Sequence, residues 1–350
     1  MRRLLTILVT MFIVTAAIAQ TPEESIEKGV AAARANKYTE AASHFQNAAS
    51  KGNAQAQYFL GLLYYEGQGV STDQKKAMEL FQKAANQGQA DAQNIIGLDY
   101  FYGTFRERNY QKAAEWFQKA AIQGKAEAQY YYGFCYYYGY GLEKNYQKGV
   151  EWLLKSANLG HADAQELLGY SYDLGNGVEK NRQKAVEWFK KAAEQGKHRS
   201  QYSLGFRYFY GVGLEKNIQK AVELFQKSAN QGNADAQYML GYCYFYGEGL
   251  EKNNQKGVEW FKKAAKKDNV DAQVMLGRCY FYGLGVDEND QEAFELFQKA
   301  AERDNGDAQC HLALCYKKGY GVKKNMQKAN YWYKRAVDNK SKYLSIFDDD

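Results

Sequence analysis

The residue types that most often act in catalysis or bind metals do not form a motif in this chain. The four histidines lie far apart in the sequence, so their spacing assembles neither a metal site nor a nucleophile–base pair. The many Asp and Glu residues recur mostly at positions that we assign to solvated helix faces. The sequence therefore predicts no catalytic residue, no metal site and no cofactor. The histidines are His44, His161, His198 and His311.

Glycines in the pattern Gly-x-Gly are the second feature that suggests chemistry, because glycine-rich loops can hold phosphate groups. The pattern occurs seven times, first as Gly67-Gln68-Gly69, whereas Gly103 is followed by Thr104 and Phe105. Each copy follows a predicted helix rather than a strand, and the sequence contains no G-x-G-x-x-G or Walker pattern. We therefore predict turns that end helices through glycine-specific backbone angles, and no phosphate site.

A glutamine that recurs every 36 residues without slippage marks the elements that position these side chains. A fixed period of this size is typical of stacked supersecondary units rather than of one globular core. Each repeat contains two helical patterns joined by a glycine-containing loop, which predicts an all-α solenoid. The eight glutamines are Gln57, Gln93, Gln129, Gln165, Gln201, Gln237, Gln273 and Gln309.

The two helices of each repeat have different patterns. In the first helix, Leu60, Gly61 and Tyr64 illustrate positions that scarcely change between copies and that form one stripe with a preceding alanine. A glycine inside a helix costs about 1 kcal/mol relative to alanine, so its recurrence predicts the close approach of a neighbouring helix. The second helix begins after Asn or Asp, such as Asn109, which is typical of an N-cap. Its Glu–Lys pairs, four residues apart, indicate a solvated outer face.

The N-terminal residues have the composition of a secretory signal. Two arginines precede an apolar run at residues 4–14, and small residues at 17–19 suit a signal peptidase. A membrane anchor is the alternative, but the run is shorter than the roughly 20 residues that span a bilayer. We therefore expect an exported protein, periplasmic or secreted, with no membrane insertion after cleavage. The expected segments are a signal peptide at 1–19, an atypical N-terminal helix-pair repeat at 20–52, eight repeats at 53–340 and an acidic C-terminal tail at 341–350.

Charge and composition restrict the partners. The formal net charge is +6, and two of the basic residues lie in the predicted signal. This balance is too mild and too evenly spread to indicate nucleic-acid binding. The single proline is Pro22, and the glycines recur at fixed repeat positions, so no flexible linker is expected. We predict one continuous solenoid, and we expect it to be a monomer.

The repeat pattern resembles a known family. The segments from Ala128 to Gly160 and from Ala164 to Gly196 follow Ala-x-x-x-Leu-Gly-x-x-Tyr-x-x-Gly-x-Gly and Lys-Ala-x-x-Trp-Phe-x-Lys-Ala-Ala-x-x-Gly closely. This pattern is similar to that of the Sel1-like repeats, relatives of the tetratricopeptide repeats. The resemblance implies a right-handed superhelix of antiparallel helix pairs, with first helices lining a concave surface. It also implies an adaptor for proteins or peptides, without catalytic residues shared across the family.

Two functional hypotheses follow. The favoured one is an exported, non-enzymatic scaffold that binds a protein, a peptide or a cell-envelope component such as a cell-wall glycan. The alternative is an envelope-acting hydrolase, with penicillin-binding or β-lactamase-like activity, because some exported Sel1-like proteins are linked to penicillin binding. Ser25 and Lys28 form one S-x-x-K motif, but its S-D-N and K-T-G partners are absent from the sequence. We therefore attribute this motif to chance.

The five cysteines raise the question of disulfides. Cys135, Cys243, Cys279 and Cys315 occupy one repeat position, and Cys310 lies five residues before the last of them. Some bacterial Sel1-like relatives carry regularly paired cysteines in each repeat, and this chain departs from that pattern. Equivalent positions in packed helices lie about 8–10 Å apart, beyond the roughly 7 Å limit for a bridge. We predict buried thiols rather than disulfides.

A second stripe of the first helix is the predicted ligand groove. It contains the residues one, five, eight and nine after the glutamine, which we call positions +1, +5, +8 and +9. Aromatic side chains dominate these positions, yet Asn94, Glu166, Asp173, Arg278 and Lys317 also occur there, which argues against a core used in every repeat. Packing between helices is the alternative role of these rings. The predicted groove contains Tyr130, Phe134, Tyr137, Tyr138, Tyr202, Phe206, Phe209, Tyr210, Tyr238, Tyr242, Phe245, Tyr246, Arg278, Phe281 and Tyr282.

Overall fold

A computed structural model describes residues 21–348, and the predicted signal peptide at 1–19 lies outside them. All regular secondary structure in the described residues is helical. The helices are α1 (Pro22–Arg34), α2 (Tyr38–Ser50), α3 (Ala54–Glu66), α4 (Gln74–Asn86), α5 (Ala90–Tyr102), α6 (Tyr110–Ile122), α7 (Ala126–Tyr138), α8 (Tyr146–Asn158), α9 (Ala162–Leu174), α10 (Arg182–Glu194), α11 (His198–Tyr210), α12 (Ile218–Asn230), α13 (Ala234–Tyr246), α14 (Asn254–Ala265), α15 (Val270–Tyr282), α16 (Asp290–Ala301), α17 (Gly306–Lys318), α18 (Met326–Asp338) and α19 (Ser345–Asp348).

The chain forms two compact units. The first contains the described residues up to Ser171 together with Gly175–Glu179, and the second contains Tyr172–Leu174 together with the described residues from Lys180 onward. From α1 to α8 and from α10 to α18, helices that follow one another along the chain pack against each other, so the helix pairs stack in sequence order. This arrangement confirms the predicted α/α solenoid of antiparallel helix pairs. We number the repeats 1 to 8, from α3–α4 to α17–α18.

The glycine inside the first helix allows the second helix to pack closely. In repeat 2, the side chains of Ala92, Ile96 and Phe117 are fully buried. A Cβ atom added to Gly97 would lie 2.6 Å from the Phe117 ring, far inside contact distance. The same phenylalanine lies against the same glycine in most repeats. The predicted close approach is confirmed, and the buried ring offsets the cost of a helical glycine.

The loop between the helices depends on its two glycines. Gly67 ends α3 in the left-handed conformation, with φ of +72°, and its amide donates to the Leu63 carbonyl at 2.9 Å. A Cβ atom on Gly69 would lie 2.2 Å from the backbone of Tyr38, in the preceding helix pair. The second glycine therefore allows the loop to lie directly on the previous repeat. This confirms the predicted helix-ending turn.

Asn or Asp caps the second helix of every repeat. In repeat 2, the Asn109 side chain accepts a hydrogen bond from the Lys112 amide at 2.9 Å, and its own amide donates to the Tyr100 carbonyl at 2.8 Å. A side-chain cap of this kind contributes about 1 kcal/mol. The cap thus fixes the start of the second helix relative to the end of the first.

The repeated glutamine joins each repeat to the one before it. Gln93 donates its Nε2 to the Ala85 carbonyl at 3.2 Å, and its Oε1 accepts from Gln123 Nε2 at 2.8 Å. The residue at the position of Gln123 differs between repeats, and three of the glutamines have a buried Oε1 that accepts no hydrogen bond. These three are Gln129, Gln237 and Gln273.

The end of the chain is packed rather than extended over its described part. Ser341 and Phe347 are buried. Phe347 stacks on Tyr333 with ring centroids 4.2 Å apart, and Ser341 Oγ donates to Asp307 Oδ1 at 3.0 Å. The Lys317 ammonium group donates to the Phe347 carbonyl at 2.6 Å. Residues 341–347, expected as an acidic tail, therefore cover the last repeat.

All five cysteines are buried, and none forms a disulfide. Burial raises the pKa of the Cys135, Cys243, Cys279 and Cys315 thiols to about 12. These thiols are therefore neutral at physiological pH and act as small apolar side chains. The prediction of buried thiols is confirmed.

Candidate ligand-binding surface

The predicted groove residues differ in exposure according to their position. The tyrosines at position +9 are exposed, with Tyr210 and Tyr246 retaining 54% and 45% of their accessible surface. Residues at position +5 are partly or largely exposed, and those at +1 are half-buried. Positions +5 and +9 therefore supply most of the aromatic surface that a ligand can reach.

The rings at position +8 belong mostly to the core. Tyr137, Phe209 and Phe245 are buried, and Phe281 is half-buried. The Phe209 ring lies 6.1 Å from that of Phe225 in the second helix of its repeat. Position +8 lies one helical turn after the glycine, where the second helix comes closest, and this proximity buries the ring. The sequence predicted these residues in an exposed groove, and the burial of Tyr137, Phe209 and Phe245 corrects that prediction.

In three repeats the +5 ring packs against the +9 ring of its own helix, with the two ring planes tilted by 44–49°. The ring centroids of Phe206 and Tyr210 lie 4.5 Å apart, as do those of Tyr242 and Tyr246. Residues four apart on a helix face the same side, so each pair forms one aromatic patch at the surface. The third pair is Phe134 and Tyr138, also at 4.5 Å.

In the second unit, two such pairs and one half-buried tyrosine form what we call the tyrosine surface. It consists of Phe206, Tyr210, Tyr238, Tyr242 and Tyr246. Burial raises the pKa of Tyr238, and the nearby Asp271 and the other three tyrosines raise it further. The Tyr238 hydroxyl therefore stays protonated and remains available both to donate and to accept hydrogen bonds.

The first unit carries a related aromatic cluster around Phe134. The Phe134 ring stacks on Tyr140 with centroids 5.8 Å apart, and the Tyr102 and Tyr131 hydroxyls lie 2.9 Å apart. Tyr130 stacks on His161 with centroids 4.7 Å apart. The groove predicted from the sequence does not include Tyr102, Tyr131 or Tyr140. Tyr102 is at position +9, so the same positional rule would have found it, whereas Tyr140 lies in the loop outside that rule.

Polar residues at these positions are held by neighbouring segments. Asn94 donates to the Glu127 carboxylate at 2.8 Å, in the next repeat. Asp173 forms an ion pair with the buried Arg207 of the next repeat at 2.7 Å. The Arg278 guanidinium lies over the Tyr343 ring, 4.8 Å from its centroid. A polar residue at one of these positions therefore indicates either exposure to solvent or pairing with a neighbouring segment. Sequence variation between the repeats does not distinguish these two causes.

The described residues contain no group of three or more His, Cys, Asp or Glu side chains that could hold a metal ion. Ser25 of the S-x-x-K motif is fully buried, whereas Lys28 is exposed. This serine hydroxyl is therefore not presented to a substrate. Within residues 21–348, no helix has the length and apolar character needed to cross a membrane.

The chain resembles two solved structures along most of its length. The first is c5321, a protective antigen present in uropathogenic Escherichia coli strains, which displays an SLR fold. Its sequence is 34% identical to this chain, and the structural match has a TM-score of 0.73 and covers 85% of this chain. The match spans 64% of the length of c5321. The second is a Sel1 repeat protein from Oxalobacter formigenes, 30% identical, with a TM-score of 0.63, over 70% of this chain and 96% of that one. The comparison with curated proteins found no match.

The sequence model of the family described as Sel1 repeat matches the chain in eight consecutive copies. The matched segments are 54–89, 90–125, 126–161, 162–197, 198–233, 234–269, 270–305 and 306–341. Together with the two structural relatives, these matches show that the chain belongs to the Sel1 repeat family.

Proposed function

We propose that this protein is an exported, non-enzymatic scaffold that binds a protein or peptide through the tyrosine surface. Proteins built from Sel1 repeats are generally scaffolds for protein–protein interaction. The observation that carries the proposal is the exposure of Tyr210 and Tyr246, each packed against the +5 ring of its own helix. Exposed ring pairs of this kind add only about 0.2–0.5 kcal/mol to helix stability, so folding alone does not account for them.

The chemistry of the surface suits an extended polypeptide. Tyrosine rings offer a large apolar contact area and lose little conformational entropy on binding, because each has only two side-chain torsions. Neutral hydroxyl groups can pair with the amide groups of a peptide backbone. A cell-wall glycan would use the same ring faces and hydroxyls, so it is the second partner to be tested.

Export is part of the proposal and rests on residues 1–19. Two arginines, an apolar run and a small-residue cleavage site support it. If the leader is removed after Ala19, the mature protein begins at Gln20 and appears in the periplasmic or extracellular fraction. Intact mass measurement of fractionated cells tests this. Recovery of the uncleaved chain from the cytoplasm alone would contradict export.

No observation favours the envelope hydrolase. Ser25 of the lone S-x-x-K motif is buried, and the described histidines lie in separate repeats. The proposal therefore assigns no reaction to the protein.

The experiment compares the double variant Tyr210→Ala/Tyr246→Ala with the wild type. Partners captured from an envelope extract are identified by mass spectrometry, and the affinity of the purified partner is then measured by calorimetry. We expect the double variant to bind more weakly by more than about 1 kcal/mol, with a nearly unchanged melting temperature. Purified peptidoglycan is tested for co-sedimentation in parallel, and binding to it alone would assign the surface to the glycan.

Tyr331→Ala is the matched control, because Tyr331 is equally exposed but lies on the second helix of repeat 8. It should bind the partner like the wild type. Unaltered affinity in the double variant, accompanied by a large fall in melting temperature, would show that the two rings stabilise the fold and do not bind the partner.

A further inference from the structure

Repeat 2 departs from the other repeats at one corner of the first unit. Phe105 replaces the second glycine of the loop, and Arg106 replaces the Val or Leu that follows it elsewhere. Asp99, six residues after the glutamine, takes the position of Leu63 in repeat 1. The three departures lie close together in space. Arg106 Nε is 3.3 Å from Asp99 Oδ2, and the Phe105 amide donates to Asp99 Oδ1 at 2.8 Å.

A comparison with the regular loop of repeat 1 shows which packing contacts repeat 2 lacks. In repeat 1, Gly69 lies directly on the preceding helix pair, which lets Val70 pack against the hydrophobic cluster there. Phe105 carries a side chain and cannot approach so closely. Arg106 points away to Asp99 and to Gln82, whose Oε1 accepts from its Nη1 at 2.7 Å. In the regular loop, the side chain of Val or Leu fills this volume. In repeat 2, no aliphatic side chain of the loop fills it.

The result is a cavity of about 310 Å³ within the first unit. Its volume falls at the lower end of the range of small-molecule sites, about 300–1,000 Å³. Apolar side chains form most of the wall, three aromatic rings lie at the mouth, and two carboxylates are included. The apolar residues are Leu62, Met78, Phe81, Ile95 and Leu98; the rings are Tyr65, Tyr102 and Phe105; the carboxylates are Glu66 and Asp99.

The charges around the cavity are unequally distributed. Asp99 is only 4% exposed, and its Oδ2 accepts no hydrogen bond although it lies close to Arg106. Glu66 at the mouth is exposed and forms no ion pair with any described residue. No basic residue lines the cavity. Arg106 and two lysines line an adjoining open depression instead. The positive charge of Arg106 neutralises the negative charge of Asp99, so the carboxylate of Glu66 leaves one net negative charge at the mouth.

We propose that this cavity binds a small aromatic amine. The ring would be buried against Met78 and Leu98, the ammonium group would meet Glu66, and the cation would also lie near the faces of Tyr65 and Tyr102. The ring would also lie beside Asp99, which lines the cavity. This site lies in the first unit and does not rest on the proposed function, whose tyrosine surface lies in the second unit.

The test is calorimetric titration of the full chain with three probes that share an indole ring. Tryptamine carries a positive charge, indole is neutral and indole-3-acetate is negative. We expect saturable 1:1 binding of tryptamine with a Kd of about 1 mM or lower, and binding of indole-3-acetate about tenfold weaker. Equal affinity for the cation and the anion, or no saturable binding of tryptamine, would overturn the proposal.

Two variants locate the site. The first transfers the repeat 1 residues Leu63 and Gln68-Gly69-Val70 into repeat 2, as Asp99→Leu with Thr104→Gln, Phe105→Gly and Arg106→Val. It restores the regular loop, removes the buried carboxylate together with its cation, and should weaken tryptamine about tenfold or more. The second is Glu66→Gln, an exposed change that leaves folding intact. It should weaken tryptamine severalfold and leave indole unchanged.

The outcomes are distinct even if the loop transfer does not fold. Loss of tryptamine affinity in Glu66→Gln, without loss of indole affinity, supports the site on its own. Retention of full tryptamine affinity in Glu66→Gln, or in a folded loop-transfer variant, refutes it. The Tyr210→Ala/Tyr246→Ala variant should bind tryptamine like the wild type, so a failure of the proposed function is separable from a failure of this site.

Discussion

Replacing Leu159 with glutamine should stabilise the first unit, because it supplies a hydrogen bond that repeat 3 lacks. In repeat 2, the glutamine at the equivalent position, Gln123, donates to Gln93 Oε1 at 2.8 Å and to the Gly88 carbonyl at 2.9 Å. In repeat 3 this position is Leu159, which is 59% exposed. The corresponding acceptor, Gln129 Oε1, is buried and receives no hydrogen bond.

The magnitude follows from three contributions. Satisfying a buried polar atom removes a penalty of about 1–3 kcal/mol. Ordering a glutamine side chain costs up to about 1.5–2 kcal/mol when it is fully fixed, and less here because the side chain at this position stays largely exposed. Leu159 buries little apolar surface, so its loss contributes little. We expect Leu159→Gln to raise the free energy of unfolding by about 1 kcal/mol.

Urea unfolding followed by circular dichroism measures the effect as a shift in midpoint at constant slope. Ile122→Gln is the control, because it also replaces an exposed aliphatic residue at the end of a second helix. Its midpoint should not rise. A double-mutant cycle with Gln129→Met isolates the hydrogen bond, since the gain from Leu159→Gln should vanish in that background. A gain that persists there, or an equal gain in Ile122→Gln, would refute the reasoning.

Three further predictions test the repeat architecture, the thiols and a buried histidine. Deleting residues 237–272, one full period, should leave a shorter folded solenoid by circular dichroism, whereas deleting 237–254 should unfold its surroundings; equal damage from both would contradict the stacked-repeat description. A thiol reagent at neutral pH should label the native cysteines only after unfolding, and reductant should not shift the melting temperature; rapid native labelling would be inconsistent with burial. Burial lowers the pKa of His311 to about 4, although its hydrogen bond to the Asp307 carbonyl opposes this shift. As the pH falls below about 6.5, the His311 imidazole is therefore protonated in the unfolded chain before it is protonated in the folded protein. Up to roughly 3 kcal/mol of stability should be lost by pH 4. Since Met275 occupies the equivalent position in repeat 7, the melting temperature of His311→Met should fall less between pH 7 and pH 4.5, and an equal fall would exclude His311 as the cause.

The repeat made much of the fold predictable from sequence. Each position of the 36-residue period occurs in eight similar environments, so a residue that does not change between copies indicates a shared structural demand. Gly97 is an example, because a glycine at this position in seven of the eight repeats indicated close packing, and the Phe117 ring is what packs there. Asn109 is another, because an Asn or Asp at every helix start indicated the N-cap that the structure contains.

The candidate site was less predictable because it depends on what varies. Position +8 is aromatic in six repeats and polar in two, as an exposed position can be, yet Phe209 and Phe245 are buried. The polar alternatives are accommodated by partners in the next repeat, as Asp173 is by Arg207. Such a pair lies 34 residues apart in sequence, and no helical periodicity reveals it. Similarly, the sequence showed that repeat 2 lacks a loop glycine. It did not show that Arg106 turns towards Asp99 and that a cavity remains as a result.

The two candidate sites differ in the kind of ligand that they suit, and the repeat explains why. The tyrosine surface uses the same positions, +5 and +9, in successive repeats, so its ring pairs recur along α11 and α13. A recurring set of equivalent contacts suits an extended ligand whose own units recur, such as a peptide backbone. The cavity exists only where one repeat breaks the pattern, so it offers one set of walls and charges. Such a site suits a single compact group, and a ligand that engages one site need not engage the other.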